Sequence, residues 1–221
     1  MCAAYQTFVA SVLAGHRLCL RRAAEVLLIF IGLQSTIATA ADYNYRTTPT
    51  GDVVLTLSGV ITPIDASVFL AEVNRRHPAV VELDGPGGDM LSAARIGVII
   101  NERAISTHAV GDCLSACAYI WIAGRRMIAT EGVEIANHLP AASGGPNEGI
   151  PQAKNLAIFG WYLGRLNLSI EMMDAFLNLA TRYGTETNEY FDMLAFAQYW
   201  NAPVTVLSFE DARLANAAVF E

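Results

Sequence analysis

Residues 79–103 read AVVELDGPGGDMLSAARIGVIINER, and this stretch decides the fold. Residues 79–83 form a short, nearly continuous apolar run, the composition of a strand buried in a parallel sheet. Gly85-Pro86-Gly87-Gly88 follows at once, where the backbone can turn sharply and leave N–H groups unscreened. From Met90 to Arg103, Leu91, Ala94, Ile96, Val98 and Ile99 supply the apolar face of a helix. The unit is strand, glycine turn, helix.

The same alternation extends outward on both sides. Upstream, residues 52–61 (DVVLTLSGVI) are rich in β-branched residues and predict a strand. Thr62 can cap a helix with Pro63 at its first position, carrying Val68, Leu70 and Val73 and stopped by Pro78. Residues 42–51 read as a linker or frayed edge. Downstream, residues 105–110 predict a third strand, 111–114 a turn, and 115–123 (SACAYIWIA) a buried helix ended by Gly124 and two arginines. Residues 127–136 are strand-like but broken at Glu131-Gly132, and 139–151 form a Gly/Pro/Ser-rich loop.

Helical stretches follow at about 152–166, 169–182 and 187–200. Their aromatics (Phe159, Trp161, Tyr162, Phe176, Tyr190, Phe191, Tyr199, Trp200) recur at helical spacing and read as core. A last short helix is expected at 208–216. Alternating strands and helices call for α/β layering with right-handed crossovers, the helical C-terminal third covering one face or serving an oligomer contact.

With 53% apolar and 16% charged residues the chain is too apolar to be disordered. The leading 40 residues hold Arg17, Arg21 and Arg22 against Glu25 alone, so the remainder is more acidic than the chain's net −7. Such a body gives no electrostatic reason to bind nucleic acid or an anionic membrane surface. Arg21-Arg22, the apolar run 26–33 and Ala38-Thr39-Ala40 form a leader pattern whose small-x-small end predicts cleavage before Ala41. Residues 1–40 thus read as a signal peptide or an N-terminal membrane anchor, and 41–221 as one domain, periplasmic or anchored with the domain outside the cytoplasm. Any membrane contact runs through the N-terminal segment.

Ser115 stands where strand and turn pass into a helix. A helix N-terminus carries partial positive charge suited to an oxyanion, although serine there ordinarily caps the helix. His138, at the end of the following strand material, is a residue type that serves as base for a serine hydroxyl. His77 reads as solvated and His108 as structural. Cys113 and Cys117 flank Ser115. A disulfide over so short a spacing is tight, and two small buried hydrophobes are the preferred reading.

Together these segments (GVI at 59–61, GPGGDMLSAARIG at 85–97, AVGDCLSACAYIWIAGRR at 109–126, IANHLP at 135–140) resemble the successive motifs of the Clp protease proteolytic subunit/crotonase superfamily. They are most similar to its small periplasmic or membrane-associated branch, where C-x-S-A-C is typical. The resemblance implies a ClpP/crotonase-like α/β fold, a spiral of strand-turn-helix units. It implies Ser115 as nucleophile, His138 as base, and the N–H groups of Gly88 and Ala116 as oxyanion hole. It further implies peptide or unfolded protein as substrate and a homo-oligomer as an option; no metal or nucleotide cofactor is implied.

Two departures stand out. The family's acidic third member has no clear counterpart in NAPVTVLSFEDA (201–212). Asn201 or Asp192 can substitute, Asp174 is more distant, and a Ser–His dyad is equally open. Lys154, the only lysine, offers an alternative base of Ser–Lys type. Three functions compete: an exported serine peptidase, a crotonase-like acyl-CoA enzyme, which export disfavours, and a non-catalytic scaffold that lost part of its triad.

Overall fold

The computed structural model describes residues 40–138, 152–166, 168–184, 191–200 and 202–211. The leader proper, the Gly/Pro/Ser-rich loop, Asn201 and the end of the last expected helix lie outside them.

Three strand–helix units follow one another. They are β1 (Asp42–Thr47) leading into β2 (Val53–Ile61) with α1 (Asp65–Arg76), β3 (Val80–Gly88) with α2 (Met90–Glu102), and β4 (Ser106–Leu114) with α3 (Ala116–Trp121). Then come β5 (Met127–Thr130), β6 (Ile135–Asn137), α4 (Gln152–Leu163), α5 (Ile170–Gly184), β7 (Phe191–Asp192), α6 (Met193–Tyr199) and β8 (Val204–Leu207). The main sheet runs β1-β2-β3-β4-β5-β8, parallel except for β1. Near its start β4 pairs with β5, through Thr107–Ala109; at its end Cys113 and Leu114 pair with β6. One strand thus borders two neighbours, and the sheet forks at its C-terminal end.

Several boundaries differ from expectation. Residues 42–47 are an edge strand rather than a linker, held by register pairing from Asp42↔Ser58 to Thr47↔Val53. The glycine segment is extended and belongs to β3, because Gly87 and Gly88 pair with Val60 and Ile61. Ile64, not Thr62, occupies the cap position of α1; Thr62 instead donates through its N–H and hydroxyl to the Asp65 carboxylate. β8, unexpected from the sequence, extends the sheet beside β5.

The core lies between the sheet and its helices: Leu55, Leu57, Val81, Leu83 and Ala109 meet Phe69, Ile96, Ile100 and Ile120, all buried. α4 seats Tyr162 against Gly97 of α2, where an added Cβ would fall 2.5 Å from the phenol oxygen. Of the expected core aromatics, Phe159, Tyr162 and Phe176 are buried and Trp200 is half-buried. Trp161 and Tyr199 instead face solvent, because helical spacing alone did not separate inner from outer faces. Among the described residues no helix is long and apolar enough to cross a membrane.

Candidate active site

Ser115 sits between β4 and α3 with φ 52° and ψ −119°. A side chain there is strained by about 1–3 kcal/mol and needs its surroundings to hold it. Two β-type bonds do so, Cys113 N–H to Glu134 O and Ser115 N–H to Ala136 O, each 2.8 Å. A third restraint is covalent. Cys113 and Cys117 are joined in a disulfide with Cα atoms 5.1 Å apart. The preferred reading of two separate hydrophobes is therefore corrected. The sharp turn at Ser115 folds the second residue of α3 back over the strand end, which brings a tight spacing into bridging range.

Although Ser115 is the N-cap of α3, its side chain makes no capping bond. Its Oγ lies 2.7 Å from His138 Nε2. The imidazole's backbone is held on both sides. His138 N–H donates to Asn137 Oδ1 at 2.7 Å, and the Tyr119 hydroxyl donates to His138 O at 3.1 Å. Tyr119 is buried, which pushes its phenol above the usual tyrosine range, so it remains a donor. It packs edge-on against Phe159, and its own carbonyl accepts from the Tyr162 hydroxyl.

The glycine segment lies directly on this turn. A Cβ on Gly87 (φ +95°) would stand 2.7 Å from Ala116 N and Leu114 O and 2.9 Å from Ser115 Cβ. Gly88 (φ +139°) presses on the Ile61 carbonyl in the same way. Only glycine allows β3 to run this close to the serine turn. Ala116 is the first residue of α3, so its N–H has no intrahelical acceptor.

The other expected residues fare differently. Asp192 is paired in register with Ala136, one strand over from the histidine's chain. Its carboxylate accepts from Ala195 N–H at 2.9 Å and caps α6. Asp174 is exposed on α5 and bonded by Asn178. The Lys154 side chain and Asn201 lie outside the described residues. His77 is the exposed, left-handed C-cap of α1; His108 is buried against Thr130 at 3.1 Å, and burial lowers its pKa. Asn137 and Tyr119 were not singled out from the sequence, and Gly87 entered only as part of the glycine segment. Adjacency to His138, one helical turn from Ser115, and the neighbouring glycine were the signals available.

Among solved structures, the ClpP protease catalytic domain from Plasmodium falciparum superposes with a TM-score of 0.51 at 17% identity, over 70% of this chain and 84% of that one. The chain has a ClpP-like α/β fold. ClpP1 from Listeria monocytogenes aligns at TM-score 0.49 and 13% identity, over 72% of this chain and 93% of that chain. A mutant of the 1510-N membrane-bound stomatin-specific protease aligns at 0.48 and 16%, over 73% and 81%. No family model and no curated protein matches the sequence. In this ClpP-like frame the β–turn–α repeats supply the glycine segment and the serine turn from adjacent strands, β3 and β4.

Proposed function

We propose that the chain is a serine hydrolase that acts outside the cytoplasm as a peptidase on peptides or unfolded protein segments. The observation that carries this reading is the 2.7 Å contact between Ser115 Oγ and His138 Nε2 at a strained turn, with the Ser115 side chain withheld from capping. In this reading His138 Nε2 takes the hydroxyl proton as Oγ attacks the substrate carbonyl carbon. The oxyanion is received by the N–H groups of Ala116 and Gly88. His138 then protonates the departing amine, and water, deprotonated by the same histidine, releases the acyl group from Ser115. Lys154 is the alternative base. Asn201 is the remaining option for a third member, since the Asp192 carboxylate is engaged as a helix cap. That engagement also favours the second reading, a scaffold that kept the fold.

Export is supported by the small-x-small sequence at 38–40 and by a disulfide, a bond of oxidising compartments. Assembly with further copies of the chain belongs to the proposal as well. Labelling with a fluorophosphonate tests the chemistry. Wild type should label at Ser115 and Ser115→Ala should not. His138→Ala should lose about 100-fold or more in rate, while Lys154→Ala keeps most of it. The reverse pattern moves the base to Lys154; no labelling of wild type leaves the scaffold.

A further inference from the structure

A second buried carboxylate lies away from the serine. Asp65 opens α1 and is fully buried. Its Oδ2 accepts from Thr62 N–H at 2.6 Å, the Thr62 hydroxyl at 2.7 Å and Ala41 N–H at 3.3 Å, and its Oδ1 from the Tyr43 hydroxyl at 3.1 Å. Among the described residues no Lys, Arg or His side chain forms an ion pair with it. The positive end of α1 and neutral donors offset part of its charge. A buried carboxylate without a cation nonetheless remains costly. Its field is felt next door: burial first, then the Asp65 charge, push the Tyr43 hydroxyl well above the usual tyrosine range.

The nitrogen at 3.3 Å belongs to Ala41, and Ala38-Thr39-Ala40 ends at the same bond. Two independent observations, a leader motif and a buried anion, meet on one peptide link. We propose that hydrolysis of the Ala40–Ala41 bond by a leader peptidase matures the protein by turning the Ala41 nitrogen into the ammonium counter-ion of Asp65. Water supplies hydroxyl to the Ala40 carbonyl carbon, the C–N bond breaks, Ala40 leaves as a carboxylate, and the Ala41 nitrogen takes up protons to become –NH3+. The 3.3 Å separation exceeds the roughly 2.7–2.9 Å of a charge-assisted bond, so the ammonium has room to close in. Ala41 is buried, so the cut precedes docking of this segment. Once docked, the pair braces the corner after β2. There Ile61 O accepts from Asp89 N–H at 2.8 Å and Ile61 pairs with Gly88.

The inference stands apart from the hydrolase reading, and its test does not use Ser115. An ammonium beside a carboxylate has its folded pKa above the unfolded range of about 7.7–8.0. The stability it adds is therefore full below that range and lost as pH rises through the folded value. The titratable group facing it is Tyr43, which stays protonated and also feels Glu72 along α1, whose carboxyl the hydrogen bonds from Arg75 and Arg76 hold below the usual range. The full chain, expressed in an exporting host, is compared with an Ala40→Leu chain that resists cutting. Mass spectrometry should find Ala41 at the N-terminus of the first. At pH 7 the cut protein should melt higher by at least about 3 °C. The gap should close by about pH 10 and should vanish when both chains carry Asp65→Asn. Cutting at another bond, equal melting at pH 7, or a gap that ignores both pH and Asp65→Asn would overturn the proposal. If Asp65→Asn does not fold, the pH dependence of the gap decides alone.

Discussion

Replacing both Cys113 and Cys117 by alanine measures what holds Ser115 in its turn. The bond joins residues with a sequence separation of 4, and a ring that small removes about 2 kcal/mol of chain entropy from the unfolded state. Ser115, with φ 52°, stores about 1–3 kcal/mol of backbone strain. The two magnitudes are alike, so the disulfide supplies roughly what the turn costs. Without it, the bonds to Glu134 O and Ala136 O remain but no longer outweigh relaxation of Ser115 toward an ordinary backbone conformation. The double variant should lose about 2 kcal/mol, a melting shift of roughly 4–8 °C for a chain of this size. If about 2 kcal/mol of that strain is released locally, the competent turn is depopulated by about 30-fold. The fluorophosphonate labelling rate of Ser115 should fall accordingly, and wild type held reduced through folding should behave the same way. Labelling within about twofold of wild type in a protein that melts lower would refute the reasoning, leaving the bond a staple with no hold on the nucleophile.

Tyr119→Phe removes the donor to His138 O while keeping the ring against Phe159. It should cost about 1 kcal/mol of stability and lower kcat several-fold on a chromogenic ester, with KM unchanged. A stability loss with kcat intact assigns Tyr119 to packing alone. Gly87→Ala places a methyl group against Ala116 N, Leu114 O and Ser115 Cβ at a left-handed φ and should abolish labelling. Gly132→Ala, also left-handed but with nothing within 4 Å, should cost only about 1–2 kcal/mol and label normally. Equal labelling of the two variants would show that the glycine segment does not shape the site.

The strand–turn–helix repeat was legible because each unit announces itself locally. The apolar run at 79–83, the glycines after it and the spaced apolar residues from Met90 all point the same way. Ser115 and His138 were legible as candidates for the same reason, since each stands at an element end. What could not be read was partnership. The edge strand at 42–47 is polar, and only its ladder with β2 makes it a strand. β8 is four residues long and finds its identity against β5. The carboxylate of Asp192 looked available for the histidine, but the local demand of α6 for a cap took it. The disulfide was misjudged because its feasibility depends on the dihedrals of the residue between, and no propensity assigns a serine φ 52°.

The meeting of Ser115 and His138 follows from the fork in β4. Its first half, Thr107–Ala109, is committed to β5; its last residues, Cys113 and Leu114, to β6. Had the β4–β5 register continued to the end of β4, Glu134 would face Leu114 where Ala136 does, and His138 would lie farther beyond the serine turn. Instead the chain breaks at Glu131-Gly132 and re-pairs one step onward. The end of β6 then lies beside the serine turn, and the next residue, His138, comes within hydrogen-bond reach of Oγ. The break that marred 127–136 as a strand is thus the feature that lets one strand end present the nucleophile and its neighbour the imidazole. Gly132, at φ +84°, is where the chain changes partners.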